Sequence, residues 1–174
     1  MIETKYRTFW KRFCAGFVDG LVFLPIMFLE QWVWSHHELF PAIVLAIFHL
    51  ITTPIFYVYN IFFLGKYGQT LGKMALKIKV LDVSEMRQIS YLQALRRDIV
   101  PLAITAVLLP RELYQIVAGT SYLFTPNSMP DRAGMIIMYS LSAWFLLECV
   151  TMLFSSKRRA IHDFIADSVV VRIK

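Results

Sequence analysis

The sequence predicts an all-α membrane protein, a four-helix transmembrane bundle with a small cytoplasmic β element, and three observations predict it. Hydrophobic residues make up 57% of the chain and mean hydropathy is +0.56. Four apolar runs approach the roughly 20 residues that cross about 30 Å of hydrocarbon. Lys and Arg gather at one side of those runs. So apolar a composition leaves too little polar surface for a domain bathed in water. The net charge of +6 would point to nucleic acid if it formed one stripe on a soluble fold. Here the basic residues flank apolar runs instead, so the lipid bilayer is the expected partner and no nucleic acid is expected.

The four spans are read at 13–34, 41–64, 99–122 and 134–154, leaving 1–12, 65–98 and 155–174 as cytoplasmic segments of one domain, 1–174. The first run follows a basic segment as a signal peptide's would, but Asp19 interrupts it and no small-x-small cleavage site follows, so it is expected to stay as a helix. The third is the weakest, because Arg111 and Glu112 interrupt it. Charge placement supports it nonetheless. Lys5, Arg7, Lys11 and Arg12 precede the first span, the basic residues from Lys66 to Arg97 follow the second, and Lys157, Arg158, Arg159, Arg172 and Lys174 follow the fourth, while Arg111 and Arg132 alone fall on the other side. That bias predicts both termini in the cytoplasm. Trp32, Trp34 and Phe40 stand where an outer aromatic belt is expected, and the outer loop 120–132, with Pro126, Asn127 and Pro130, reads as turn. Cys14 and Cys149 read as small buried residues, not as a disulfide.

Within the cytoplasmic segment 65–98, residues 76–82 alternate as a strand does, and 83–87 can turn the chain into a second short strand at 88–91. The β-branched tail 168–174 adds a third piece. These three are expected to form one small sheet.

A charge at a helix centre in lipid costs about 2.5–3.5 kcal/mol even on insertion scales, so each one requires a partner. Arg12 and Asp19 lie seven residues apart, nearly in line on a helix, and Glu30 returns to that line. Gly16 and Gly20 beside them have the spacing that lets another helix backbone approach. Glu148 in the fourth span reaches about the depth of Asp19, and His49, Thr53 and Asn60 align on the second, with Pro54 loosening the backbone between them. Convergence of these polar faces would make one interior site. Arg12 as a snorkelling side chain, the glycines as packing residues and His49 as a hydrogen-bonded core residue are the plainer readings.

The stretch Gly68-Gln-Thr-Leu-Gly72-Lys73 lacks the first glycine and the final Ser or Thr of a phosphate loop, since Tyr67 and Met74 stand at those positions, so nucleotide binding is rejected. His162, Asp163 and Asp167 make a poor metal set, and no metal or cofactor is expected. With no nucleophile, base and orienting group in view, the chain is not expected to be an enzyme.

The motifs Phe9-Trp-Lys-Arg12 through Asp19, Gly68-Gln-Thr70-Leu-Gly72-Lys73 followed by Ile78-Lys-Val-Leu-Asp82, and Arg159-Ala-Ile-His162-Asp163 through Ser168 occur in order along nearly the whole chain. The chain thereby resembles the RDD family of membrane proteins, in which Arg12, Asp19 and Asp163 match the name-giving arginine and aspartates, and Arg96 or Arg97 fits an arginine ahead of the next helix. Asp167 departs from the glycine expected there, and Ser168 from the usual threonine. The resemblance implies a bacterial cytoplasmic membrane and a role in transport, with ion-proton exchange proposed for some members.

The expected function is therefore transport of an ion or small ligand through a cytoplasm-side cluster of Arg12, Asp19 and Asp163, with Glu148, His49 and Asn60 as further ligand groups and a cation or proton as the ligand. Four helices enclose little space, so a homo-oligomer is expected. The alternative is a membrane scaffold or regulatory partner whose ionic cluster fixes registry. A basic face of Lys66, Lys73, Lys77 and Lys79 that reads anionic lipid is a third reading, but the inward bias of positive charge already accounts for those residues.

Overall fold

The computed structural model describes residues 4–119 and 132–173; the expected outer loop with Pro126, Asn127 and Pro130, and residues 120–122 of the third expected span, lie outside these. In chain order the elements are α1 (Phe9–Ser35), α2 (Ala42–Thr52), α3 (Ile55–Tyr67), α4 (Leu71–Ala75), β1 (Ile78–Asp82), α5 (Tyr91–Arg97), α6 (Ile99–Ala118), α7 (Arg132–Phe154), α8 (Ile161–Ile165) and β2 (Ser168–Arg172). The fold is mostly helical with a small β element, as the sequence predicts.

Three helical stretches among the described residues are long and apolar enough to cross a membrane: Thr4–Ser35, Ala42–Tyr67 and Ile99–Ala118. The shorter apolar stretch Met138–Phe154 belongs to α7. The first helix starts before the expected position 13, because the basic turn Lys11–Arg12 is helical too. The second expected span is one run broken at Thr53–Pro54. Proline supplies no N–H for the helical ladder there, while Thr53 caps the end of α2 by donating its hydroxyl to the His49 carbonyl at 2.8 Å.

The sheet corrects the sequence reading. Strand β2 pairs antiparallel with β1, Val80 opposite Val170 and Asp82 opposite Ser168, so the tail is paired as expected. The third expected strand is reduced to a single bridge between Leu81 and Gln88. Its residues are diverted into a helix start: the Ser90 hydroxyl accepts from Gln93 N at 3.2 Å and Gln93 Oε1 accepts from Ser90 N at 3.0 Å, a reciprocal cap that opens α5.

Three packing centres occur among the described residues, the smallest of them Tyr6 with Val169 and Val171; the two larger ones lie at opposite ends of α1. One joins Ile78, Val80 and Val170 of the sheet to Ala15 of α1, Leu64 of α3 and Ala94 of α5. The other joins Val33 and Trp34 of α1 to Leu45, Ala46 and Ile116. At 1.5 Å per residue they lie about 27 Å apart along α1. Between them apolar side chains face outward, among them Phe28 at 70% exposed and Leu146 at 62%. Trp34 is buried in the second centre and so takes no part in an outer aromatic belt. Cys14 is exposed and Cys149 half-buried, against the expectation that both are interior.

Candidate functional site

Asp19 and Asp163 are both buried, and each sits in its own cradle of donors. The expectation that Arg12 neutralises Asp19 is overturned. Thr70 donates its hydroxyl to Asp19 Oδ2 at 2.6 Å, while the Gly72 N–H and the Tyr59 hydroxyl both donate to Oδ1 at 2.7 Å. The Lys73 ammonium stands 4.0 Å from Oδ2. These groups converge because the short helix α4 points its start at α1. Its first N–H groups have no intrahelical acceptors; the Tyr59 oxygen takes Leu71 N at 2.9 Å, Asp19 takes Gly72 N, and Thr70 Oγ1 takes Lys73 N at 3.4 Å. A negative carboxylate at that end is further favoured by the helix dipole. Burial lowers the pKa of Lys73 to about 8, with the Asp19 charge opposing the shift.

The close approach of backbones expected at Gly16 and Gly20 is made instead by Gly72. A side chain there would run into the carbonyl oxygen of Ala15, whereas nothing lies within 4 Å of the position a Cβ would take at Gly16 or Gly20. Gly68, the first glycine of the same motif, ends α3 in the left-handed conformation at φ 70°.

Arg12 belongs to Asp163. Its Nη1 donates to Asp163 Oδ2 at 2.5 Å, and Arg97 Nη1 donates to Oδ1. Asp163 is the third residue of α8, and its Oδ2 also accepts the Ala160 N–H at 3.0 Å, tying the start of that helix. The Ser168 hydroxyl accepts from Arg97 Nη1 at 2.5 Å, so the serine at the usual threonine position keeps a hydroxyl in the cluster. Burial alone would raise the Asp163 pKa, but the Arg12 and Arg97 charges outweigh it and hold the carboxyl far below its ordinary range.

The network continues to Glu148. Arg97 Nη2 lies 2.8 Å from His162 Nε2, and His162 Nδ1 meets Glu148 Oε2. The two ring nitrogens of His162 thus bridge the Arg97 guanidinium and the Glu148 carboxylate. Glu148 Oε1 also accepts the His162 N–H at 3.1 Å. Two guanidiniums, of Arg12 and Arg97, thus share one network with two carboxylates, of Asp163 and Glu148.

A cavity of about 310 Å³ opens beside this network, bordered by Arg12, Lys73, Arg97, Asp98, Glu148 and His162 on one part and by Phe13, Pro101, Trp144 and Phe145 on another. Arg12 Nε and Nη2 are buried without a hydrogen-bond partner, and so is Asp98 Oδ2. Nε and Nη2 form one edge of the guanidinium, the geometry that grips two oxygens of one acid. Burial raises the Asp98 pKa, with Arg97, His162 and Lys73 opposing it.

The remaining predicted site residues do not join this centre. His49 Nε2 pairs with Glu112 Oε2 at 3.1 Å and stacks edge-on to Trp34, beside the second packing centre. Asn60 on α3 is half-buried and Glu30 lies about 16 Å further along α1 from Asp19. Of the three polar faces expected to converge, those of α1 and α7 meet through Arg12 and Glu148 at one cavity, while that of α2 stays apart as the His49–Glu112 pair. Tyr59 and Asp98 were missed as site residues; nothing in their sequence spacing marks them, whereas Thr70 three residues ahead of Lys73 has the signature of a helix cap.

Asp167 occupies the position where the family pattern has glycine, and its φ is 46°. The turn forms in the left-handed region that glycine adopts most easily.

The RDD family profile matches residues 6–167. Neither a curated protein nor a solved structure matches the chain.

Proposed function

The chain belongs to the RDD family of membrane proteins, and from that premise we propose that it is a four-span protein of a bacterial cytoplasmic membrane, with both termini inside, that moves a small ion or ligand by way of the cavity beside Arg12. The observation that supports this reading is that two residues bordering one cavity, Arg12 and Asp98, each carry buried polar atoms without a hydrogen-bond partner: Nε and Nη2 of Arg12 and Oδ2 of Asp98. Buried polar atoms without partners are costly, and a ligand entering the cavity that these two residues border could satisfy them.

In this reading Asp19 and Asp163 hold the walls, since every oxygen of both carboxylates already accepts hydrogen bonds. Glu148, His162 and Asp98 are the groups that exchange a cation or proton, being on the cavity and less completely enclosed. The outward-facing apolar surface of the long helices leaves room for lipid or for further copies of the chain, and a homo-oligomer would complete a pathway that four helices cannot enclose.

Flux in proteoliposomes tests the reading. Loss of cation or proton flux by at least 10-fold in Glu148→Gln and Asp98→Asn, with the melting behaviour of the wild type retained, is the expected result. Undiminished flux in both removes the cavity from the pathway.

The second reading, a non-transporting scaffold, is favoured by the saturation of Asp19 and Asp163, which fixes the cytoplasmic segments against α1 as a registry device would. Absence of any flux above that of protein-free vesicles, in a folded wild type, favours it.

A further inference from the structure

A second hollow, of about 500 Å³, lies at the start of α1 apart from the Arg12 cavity, and four cations border it: Arg7, Lys11, Arg158 and Arg172. Among the described residues no acidic side chain borders it. These residues come from four places in the chain, namely the segment before α1, its first turn, the turn after α7 and the end of β2. The inward bias of positive charge explains why they share a side of the membrane, but not why they converge on one hollow.

Their engagement differs in a telling way. Lys11 Nζ donates to the Leu76 carbonyl at 2.7 Å, and Arg158 Nη1 donates to the Leu153 carbonyl at 2.7 Å. Both charges are positioned by neutral oxygens and make no ion pair among the described residues. Arg7 and Arg172 are exposed and make no ion pair among the described residues. Four like charges around one hollow repel one another unless an anion joins them. Trp10, 73% exposed, and Leu153, 50% exposed, supply apolar walls beside those charges. Aromatic residues next to cations at the end of an apolar helix mark the level of lipid headgroups.

We propose that this hollow binds the headgroup of a membrane lipid that carries two phosphates, with the acyl chains descending past Trp10 and Leu153. Two phosphates match four cations better than one, since each can be gripped by two basic side chains. The apolar walls favour a lipid over a soluble diphosphate. The assignment does not rest on transport through the Arg12 cavity.

The test is binding to the purified full chain in detergent, read by native mass spectrometry with cardiolipin, phosphatidylglycerol and inorganic pyrophosphate as probes. Cardiolipin is expected to bind at least 10-fold more tightly than phosphatidylglycerol, with pyrophosphate weaker than both. The double variant Arg7→Gln, Arg172→Gln removes two exposed cations whose side chains make no hydrogen bond or ion pair among the described residues, and leaves the backbone pairing of β2 in place, so it retains the fold. It is expected to bind cardiolipin about 30-fold more weakly, from roughly a factor of five for each cation near an anionic headgroup. Equal affinity for cardiolipin and phosphatidylglycerol, or cardiolipin binding unchanged in the double variant, overturns the proposal. Pyrophosphate binding as tightly as cardiolipin overturns the lipid as occupant and assigns a soluble diphosphate.

Discussion

The N–H of Gly72 donates to Asp19 Oδ1 at 2.7 Å, and the same glycine lies so close to α1 that a side chain on it would enter the Ala15 carbonyl oxygen. One contact thus joins the buried charge of the first helix to the cytoplasmic segment that neutralises it. Each needs the other, because the N–H reaches the carboxylate only when the two backbones touch.

Gly72→Ala is accordingly expected to destabilise the protein by about 3 kcal/mol, at the upper end of what overpacking costs, because the obstructing atom is backbone and cannot turn aside. Gly16→Ala, with open space around it, is expected to stay within about 0.5 kcal/mol of wild type. Thermal melting of the detergent-solubilised variants, followed by intrinsic fluorescence, compares them; equal melting temperatures would deny the close approach.

Removing the charge of Asp163 leaves Arg12 and Arg97 buried beside each other. Asp163→Asn is expected to cost about 3–5 kcal/mol, the usual consequence of breaking one side of a buried ion pair. The carboxyl is held below its ordinary value of 3.8, so the stability it contributes is present above that pH and declines as pH falls below it. Acid unfolding of wild type and variant should therefore converge at low pH. A variant that remains less stable by the same margin at every pH would contradict this.

Lys73 gives a rise of the same sign in an alkaline window. Its pKa falls from 10.5 to about 8 in the folded protein, chiefly through burial, with Asp19 opposing. Between those two values the unfolded chain holds a proton that the folded chain lacks, so stability rises with pH across that window. Melting temperatures measured from pH 7.5 to 10.5 are expected to climb relative to Lys73→Met, in which the rise is absent.

At Asp167, φ of 46° places a non-glycine residue in the left-handed region. Asp167→Gly relieves that strain at the expense of a looser unfolded chain, for a net gain of about 0.5 kcal/mol, while Asp167→Val loses at least about 1 kcal/mol because branching at Cβ aggravates the clash. Chemical denaturation of the three forms reads the order; a valine form as stable as the glycine form would count against the strained turn.

Much of the fold is legible because its signals are local. The apolar runs follow from composition, and the alternation of Ile78, Val80 and Asp82 announces a strand whose inward residues are all buried. The Ser90–Gln93 cap is also a local signal, but the reading of 88–91 as a strand overlooked it, and only the observed bridge between Leu81 and Gln88 reveals how little pairing remains.

The sequence by itself determined that buried charges exist on α1 and that the ends of the apolar runs are basic. Which partner each charge takes was decided by tertiary structure alone. Helical periodicity lines up Arg12 and Asp19, but seven residues of rise separate them by about 10 Å, too far to pair. A shared line on a helix therefore describes direction and not contact. The contacts come from segments remote in the chain, α4 for Asp19 and α8 for Arg12, and their approach depends on packing that no local pattern encodes.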